Sequence, residues 1–301
     1  MNQGYDVFVV GSINTDLAIT VERRPLPGET IAGSDLVTSP GGKGGNQASA
    51  AARLGGRIAL LARVGDDARG ATLRAELRAM AVDDRYLLAT SDVATGSAII
   101  TITPDGENSI VVSRAANARL AIADVESATA DIRAAAVTLA QLEVPVDAVV
   151  CALELAASAG RRAILNAAPA RRLPGGLLRC LDPLVVNEGE ASFYYGEPVT
   201  PESAEAAAIA LVARGARSVV ITLGGSGAAY ASARGSGRVA APPVDVVDTT
   251  GAGDAFTGAL ALELARGATI KAAVTLAVRV GSFAVRKSGA QASLPRREEL
   301  V

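Results

Sequence analysis

The segment Gly251-Ala-Gly-Asp254 sets backbone that can approach a ligand closely beside a single carboxylate. It follows the strand-like Val244–Val247 and precedes a helical run, Ala255 to Leu264. Backbone N–H groups at a helix start lack partners within the helix and carry partial positive charge, so they suit an anion. Asp254 in that first turn can meet whatever the amides hold. Phosphoryl transfer asks for little more than donors aimed at the transferring oxygens and a carboxylate facing the attacking hydroxyl. An Asp there also serves as a plain cap or dipole partner. The segment by itself leaves both readings open.

A second glycine cluster, Gly41-Gly-Lys-Gly-Gly-Asn-Gln47, also leads into a helix. Position 37 is Val and no Ser or Thr follows Lys43, so this is not a nucleotide-binding P-loop. Flexible backbone beside Lys43 and Asn46 suits a polyhydroxylated ligand, and a tight turn is the simpler alternative. Asn14 and Asp16 lie two apart after a strand, so extended geometry points both side chains the same way. An amide beside a carboxylate is a pairing that holds vicinal hydroxyls; either residue can equally cap a turn. In Asn187-Glu-Gly-Glu190, Glu190 is a candidate magnesium and phosphate ligand, and the same four residues read as a capping box. Thr222-Leu-Gly-Gly-Ser-Gly227 leaves a buried-type strand at the end where open α/β sheets bind nucleotides.

These segments need a scaffold, and the apolar runs supply one. Asp6–Val10, Ile58–Leu61, Val137–Leu142, Ala163–Leu165, Leu184–Val186 and Ser218–Thr222 read as buried parallel strands. Helical stretches lie between them, among them Gly45–Leu54 and Ser203–Arg214, the latter closed by Gly215. The alternation predicts an α/β fold, a mainly parallel sheet with helices on both faces. Leu17 to Val37, and Ser97–Thr103 with Asn108–Ser113 around a Pro104-Asp-Gly-Glu107 turn, break it. They read as antiparallel strands of a small sheet, covering the site as a lid or pairing with another chain. No repeat or linker is visible, so one domain over residues 1–301 is expected, its lid formed by about 14–40 and 95–115.

Composition narrows the chemistry. A net charge of −2 offers no footprint for nucleic acid or an anionic membrane, which leaves a small molecule as partner. The uncharged run Ser218–Ala233 is too short and too polar to span a bilayer, and no basic segment followed by an apolar one starts the chain. A cytoplasmic protein is expected. With no histidine in the sequence, acid–base work falls to Asp, Glu, Lys or Tyr. Cys151 and Cys180 suggest neither a disulfide framework nor a zinc site and are expected in the core.

In order, Gly11-Ser-Ile-Asn-Thr-Asp16, Pro27-Gly-Glu29, the Gly41–Ala48 cluster, Gln141-Leu-Glu143, Asn187–Glu190, Asp248–Asp254 and Gly289-Ala-Gln-Ala-Ser293 resemble the ribokinase (PfkB-type) family of carbohydrate kinases along the whole chain. The resemblance implies a doubly wound α/β fold with a lid that pairs two subunits into a homodimer. It implies D-ribose held by Asn14, Asp16, Gly42, Lys43, Asn46 and Glu143, with Asp254 as base toward the 5-hydroxyl. ATP would meet Asn187, Thr222, Gly224, Gly225 and Gly227. Glu190 would organise Mg2+ and phosphate. Gly251, Ala252 and Gly253 would form the anion hole, and K+ would lie behind it among Asp248, Thr250, Ala284, Lys287, Gly289 and Ser293. Lys287 could join that shell only through its carbonyl. Arg114-Ala-Ala-Asn117 and Asn166-Ala-Ala-Pro169 depart from the family pattern, which bears on lid closure and the sugar's outer face. Other sugars, a nucleoside, or a non-catalytic sensor role are the alternatives.

Overall fold

The computed structural model describes residues 4–105 and 107–300, so Gly106 in the Pro104–Glu107 turn lies outside the described residues. The chain begins with β1 (Val7–Val10), β2 (Asn14–Thr20), β3 (Val37–Gly41) and the helix Lys43–Arg53. β4 (Ile58–Gly65), β5 (Val82–Asp83), β6 (Leu87–Thr90), β7 (Ser97–Ile102) and β8 (Asn108–Ser113) follow. The second half carries β9 (Val137–Gln141), β10 (Arg162–Asn166), β11 (Leu181–Asn187), β12 (Ser218–Thr222), β13 (Ala228–Ser232) and β14 (Gly235–Val239). Helices Ala252–Ala265 and Ile270–Ala284 close it.

The large sheet has the order β14-β13-β12-β11-β10-β9-β1-β4-β5, with β6 also on β4. It is parallel except for β13 and β14 at one edge. Its strands are apolar on both faces because both are covered. Val7 and Val9 join one core layer with the helices Lys43–Arg53, Ala252–Ala265 and Ile270–Ala284, while Phe8 and Val10 join the layer on the other side with the helix Val146–Ser158. From β1 the chain crosses to β4 on one side and to β9 on the other. The order of chain connection therefore reverses between the parallel strands β1 and β9, and the crevice at their carboxyl ends is where such folds take ligands.

Three expectations need correction. The small sheet, β3-β2-β7-β8, is not antiparallel throughout: β2 and β7 run parallel, since the chain passes through β4 and the helix Ala68–Ala79 between them. Val244–Val247 forms no strand; Val246 and Val247 are exposed at 62% and 65%, and Val244 and Val246 border a cavity instead. β-branched alternation suits a pocket wall as well as a sheet face. Cys151 and Cys180 are free and half-buried rather than in the core.

Candidate active site

Asp254 stands in the first turn of the helix Ala252–Ala265, which starts at Gly251 in a left-handed conformation, φ 76°. Its carboxylate is buried and both oxygens are engaged. Oδ2 accepts from Asn46 Nδ2 and Oδ1 from Gln47 Nε2, each at 2.9 Å. The helix Lys43–Arg53 reaches that close because Gly258 has no side chain: a Cβ there would come within 2.5 Å of the Gln47 carbonyl oxygen. Burial pushes the Asp254 carboxyl upward, opposed by Lys43, Asn46 and Gln47. In return, the Asp254 charge is the main influence raising the Lys43 ammonium. A carboxylate moved toward neutrality is a better proton acceptor than a free one.

The Gly253 and Asp254 N–H groups have no acceptor among the described residues, whereas the Ala252 N–H donates to the Thr249 carbonyl at 3.2 Å. Two free amides therefore stand at the helix start, and the third is held by a long bond.

The sugar-site candidates come from three segments. Asn14 and Asp16 share a face of β2, as their spacing predicts. Asn117 clamps Asn14 by donating to its Oδ1 at 2.7 Å and to the Ile13 carbonyl at 3.0 Å. Gly42, at φ 83°, turns the chain into the helix beside Ile13 and Asn14. Glu143, following β9, accepts from the Ser12 hydroxyl and from the Lys43 N–H, which ties the two sides of the crevice together. Asp16 is pushed up to about 7, first by burial and then by the Glu143 and Asp254 charges. Arg114 donates from Nε to the Glu143 carbonyl, so the end of β8 is anchored to this crevice.

Two cavities open on Asp254's surroundings. The smaller, about 130 Å³, is bordered by Lys43, Glu190, Gly251, Gly253 and Asp254. The larger, about 450 Å³, is bordered by Gly224, Gly225 and Gly227 on one side and by Val244, Val246 and Phe256 on the other. Both touch Asn187, Thr222 and Gly253, so they adjoin there. The Asn187–Glu190 capping box is present: Glu190 Oε2 accepts from the Asn187 N–H and Asn187 Oδ1 from the Glu190 N–H. It does not remove Glu190 from the site. Burial raises its carboxyl, against the Asn187 N–H and Lys43.

Behind the helix start, Asp248 accepts from the N–H groups of Thr250 and Gly289, each at 2.9 Å, and more distantly from the Ser288 hydroxyl. Burial opposes its charge, but those donors hold it below the usual carboxylate range. Ser293 Oγ nearby in sequence to Gly289 is buried and without a hydrogen-bond partner among the described residues. The Ala284 and Gly289 carbonyls accept from the Lys287 and Ser293 N–H groups, and Lys287 Nζ lies over the Phe283 ring.

Sequence reasoning missed Gln47, Asn117, Gln141 and Gln291, whose amides orient the site, and the apolar wall of the larger cavity. Alternating valines at 244 and 246 were the signal for that wall.

Residues 5–297 match the profile of pfkB family carbohydrate kinases. A ribokinase of Staphylococcus aureus (strain COL) is 37% identical over 297 residues, covering 98% of each chain. A deoxyribokinase of Salmonella typhi is 33% identical over 296 residues, 98% of this chain and 97% of its own. The structure of Arabidopsis thaliana ribokinase complexed with ribose and ATP superposes with a TM-score of 0.89 at 31% identity, covering 99% of this chain and 97% of that one. With the glycine-flanked Asp254, the two adjoining cavities and a match along almost its whole length, the chain belongs to the pfkB family of carbohydrate kinases.

Proposed function

We propose that this protein transfers the γ-phosphate of ATP to the 5-hydroxyl of D-ribose, giving ribose 5-phosphate and ADP. The observation that carries this reading is the junction of the two cavities at Asn187, Thr222 and Gly253, with Asp254 and Lys43 in the smaller one. ATP occupies the larger cavity, its base against the valines and its phosphates over Gly224, Gly225 and Gly227. Ribose lies in the crevice of Asn14, Asp16, Gly42, Lys43, Asn46 and Glu143. The ribokinase relative and the neighbour bound to ribose and ATP support this choice. Deoxyribose is the second reading, favoured by the deoxyribokinase relative. ADP release measured across ribose, deoxyribose, fructose and nucleosides separates them; no turnover on any of these would favour a different sugar or a sensor role.

Asp254 accepts the proton of the attacking hydroxyl, and its placement counts for more than its basicity because the transition state is loose. The Gly253 and Asp254 amides, joined by Ala252 when its bond to Thr249 opens, take the charge on the transferring phosphoryl group. The smaller cavity sets Glu190 and Asp254 against one cation, Lys43, a donor set with room for Mg2+ on Glu190. Bound there, magnesium neutralises phosphate charge. The unpartnered Ser293 hydroxyl, the ionised Asp248 and the neighbouring carbonyls fit K+. Asp248, Thr250, Ala284, Gly289 and Ser293 would hold it, with Lys287 contributing only its carbonyl, and the ion adds positive field behind the anion loop.

Asp16 gives this reading a pH signature. In the empty site it keeps its proton up to about 7, whereas sugar hydroxyls donate to its ionised form. Ribose affinity should therefore rise with pH toward about 7 and level off above it, with proton release on binding. Titration calorimetry in buffers of different ionisation enthalpy reads this directly. Asp16→Asn should abolish the release; an unchanged release in that variant would exclude Asp16 as its source.

The whole chain is proposed as one domain, with the small sheet as a lid over the sugar and as the dimer contact, working in the cytoplasm where ATP is held. Register places Leu17, Ile99 and Val111 in one row across the small sheet, with Ile99 and Val111 exposed at 52% and 68%. Such a row is apolar surface that a second copy would cover. Sedimentation should find a dimer that Ile99→Glu with Val111→Glu converts to monomer; a monomeric parent chain would reject the contact.

A further inference from the structure

Asp254 rests on a relay of buried amides. Gln47 Nε2 donates to Asp254 Oδ1 and to Asn166 Oδ1, each at 2.9 Å, and Gln47 Oε1 accepts from Gln141 Nε2 at 2.7 Å. Gln47 and Gln141 are both fully buried. A carboxamide has two donor hydrogens and one carbonyl, and here each has a partner. Gln47 cannot turn over without pointing its carbonyl at the carboxylate.

Gln141, at the end of β9, decides that orientation without touching Asp254. Its nitrogen faces the Gln47 carbonyl, while its own Oε1 lies against Gly11, where a Cβ would come within 1.9 Å, and has no hydrogen-bond partner among the described residues. An unpaired buried carbonyl is unfavourable. The reverse orientation would set two carbonyls face to face between Gln141 and Gln47, so the unpaired oxygen goes with a correctly poled relay. On the other side, Asn46 donates to Asp254 Oδ2 and its Oδ1 accepts from Gln291 Nε2 at 3.1 Å. Each carboxylate oxygen is thus held by an amide that a second glutamine orients.

We propose that Gln47, oriented by Gln141, is a positioning residue that fixes the rotation of the Asp254 carboxylate toward the attacking hydroxyl. The proposal rests on Asp254 being the base. With a donor on each oxygen the carboxylate plane is set and a lone pair remains for the hydroxyl proton. Without the Gln47 donor the group turns, and misplacement by ~1 Å costs on the order of 10²-fold in rate. The charged groups around Asp254 are Lys43 on the Lys43–Arg53 helix, Glu143 after β9, Asp16 on β2 and Glu190 on the Glu188–Tyr195 helix. Only Lys43 among them favours the ionised form, so loss of an amide donor moves the Asp254 titration to higher pH.

Steady-state kinetics of the intact protein with ribose, ATP and magnesium test this. Gln47→Leu should lower kcat by about 10²-fold, with KM for both substrates changed less than about three-fold and the acid limb of kcat moved to higher pH. Gln141→Glu should reproduce both effects, because a carboxylate facing the Gln47 carbonyl turns the amide over; a structural role would lower thermal stability and leave the pH profile in place. Should these variants not fold, the side-chain amide resonances of Gln47 in the unsubstituted protein must titrate with the midpoint of that acid limb. Wild-type kcat and pH profile in Gln47→Leu, or amide resonances silent through the limb, overturn the proposal. Asp254→Asn separates the two ideas: retained turnover there removes the base itself, whereas an inactive Asp254→Asn beside a normal Gln47→Leu removes only the relay.

Discussion

Asp254→Asn should lower kcat by about 10³-fold while ribose still binds. The carboxamide has the size of the carboxylate, so the crevice around it keeps its shape. It cannot take a proton from the sugar hydroxyl. It also turns an NH2 toward one of the two amides that now donate, Asn46 Nδ2 or Gln47 Nε2, and so opposes donor to donor in a buried site. Calorimetry with ribose and single-turnover measurement with ATP separate binding from chemistry. Turnover near that of the parent protein would reject the assignment of the base.

A second large effect is expected at Gly251. Its φ of 76° is left-handed, and a Cβ there would lie 2.8 Å from both the Cα and the Cβ of Ala290. Gly251→Ala therefore incurs about 1–2 kcal/mol for the backbone conformation and about 1–3 kcal/mol for the forced contact. The cheapest relief shifts the start of the Ala252–Ala265 helix, which carries the free Gly253 and Asp254 amides. Loss of one such donor costs about 10²- to 10³-fold in kcat, and that range is the prediction, together with a lower denaturation midpoint. A Cβ at Gly253 meets nothing within 4 Å, so the strain belongs to residue 251 and not to the loop at large. Full activity with only reduced stability would show that the helix start does not hold the phosphoryl group.

Much of the scaffold was legible because parallel strands buried on both faces are short apolar runs. Val7–Val10 and Ser218–Thr222 lie where the pattern placed them, and the Lys43–Arg53 helix starts two residues earlier than predicted. Asp254 and the two glycine clusters were legible because helix starts and close backbone approach leave a local signature. What the sequence hid is long-range. Gln47 meets Gln141 and Asp254 across 94 and 207 residues, and Asn46 meets Gln291 across 245. An amide's choice of partner has no periodicity, so nothing near Gln47 in the chain marks it. The parallel pairing of β2 with β7 was hidden likewise, since a strand's composition does not fix the direction of its neighbour.

Gly258 sits one turn along the helix from Asp254, against the Gln47 carbonyl. Its missing side chain sets the gauge between two helices, so the carboxylate and its amides are spaced by main chain on main chain, with no flexible side chain between. Spacing of that kind has no alternative rotamer to adopt on warming. The proposed base should therefore stay aligned until the helices themselves separate, and loss of activity with temperature should coincide with unfolding instead of preceding it.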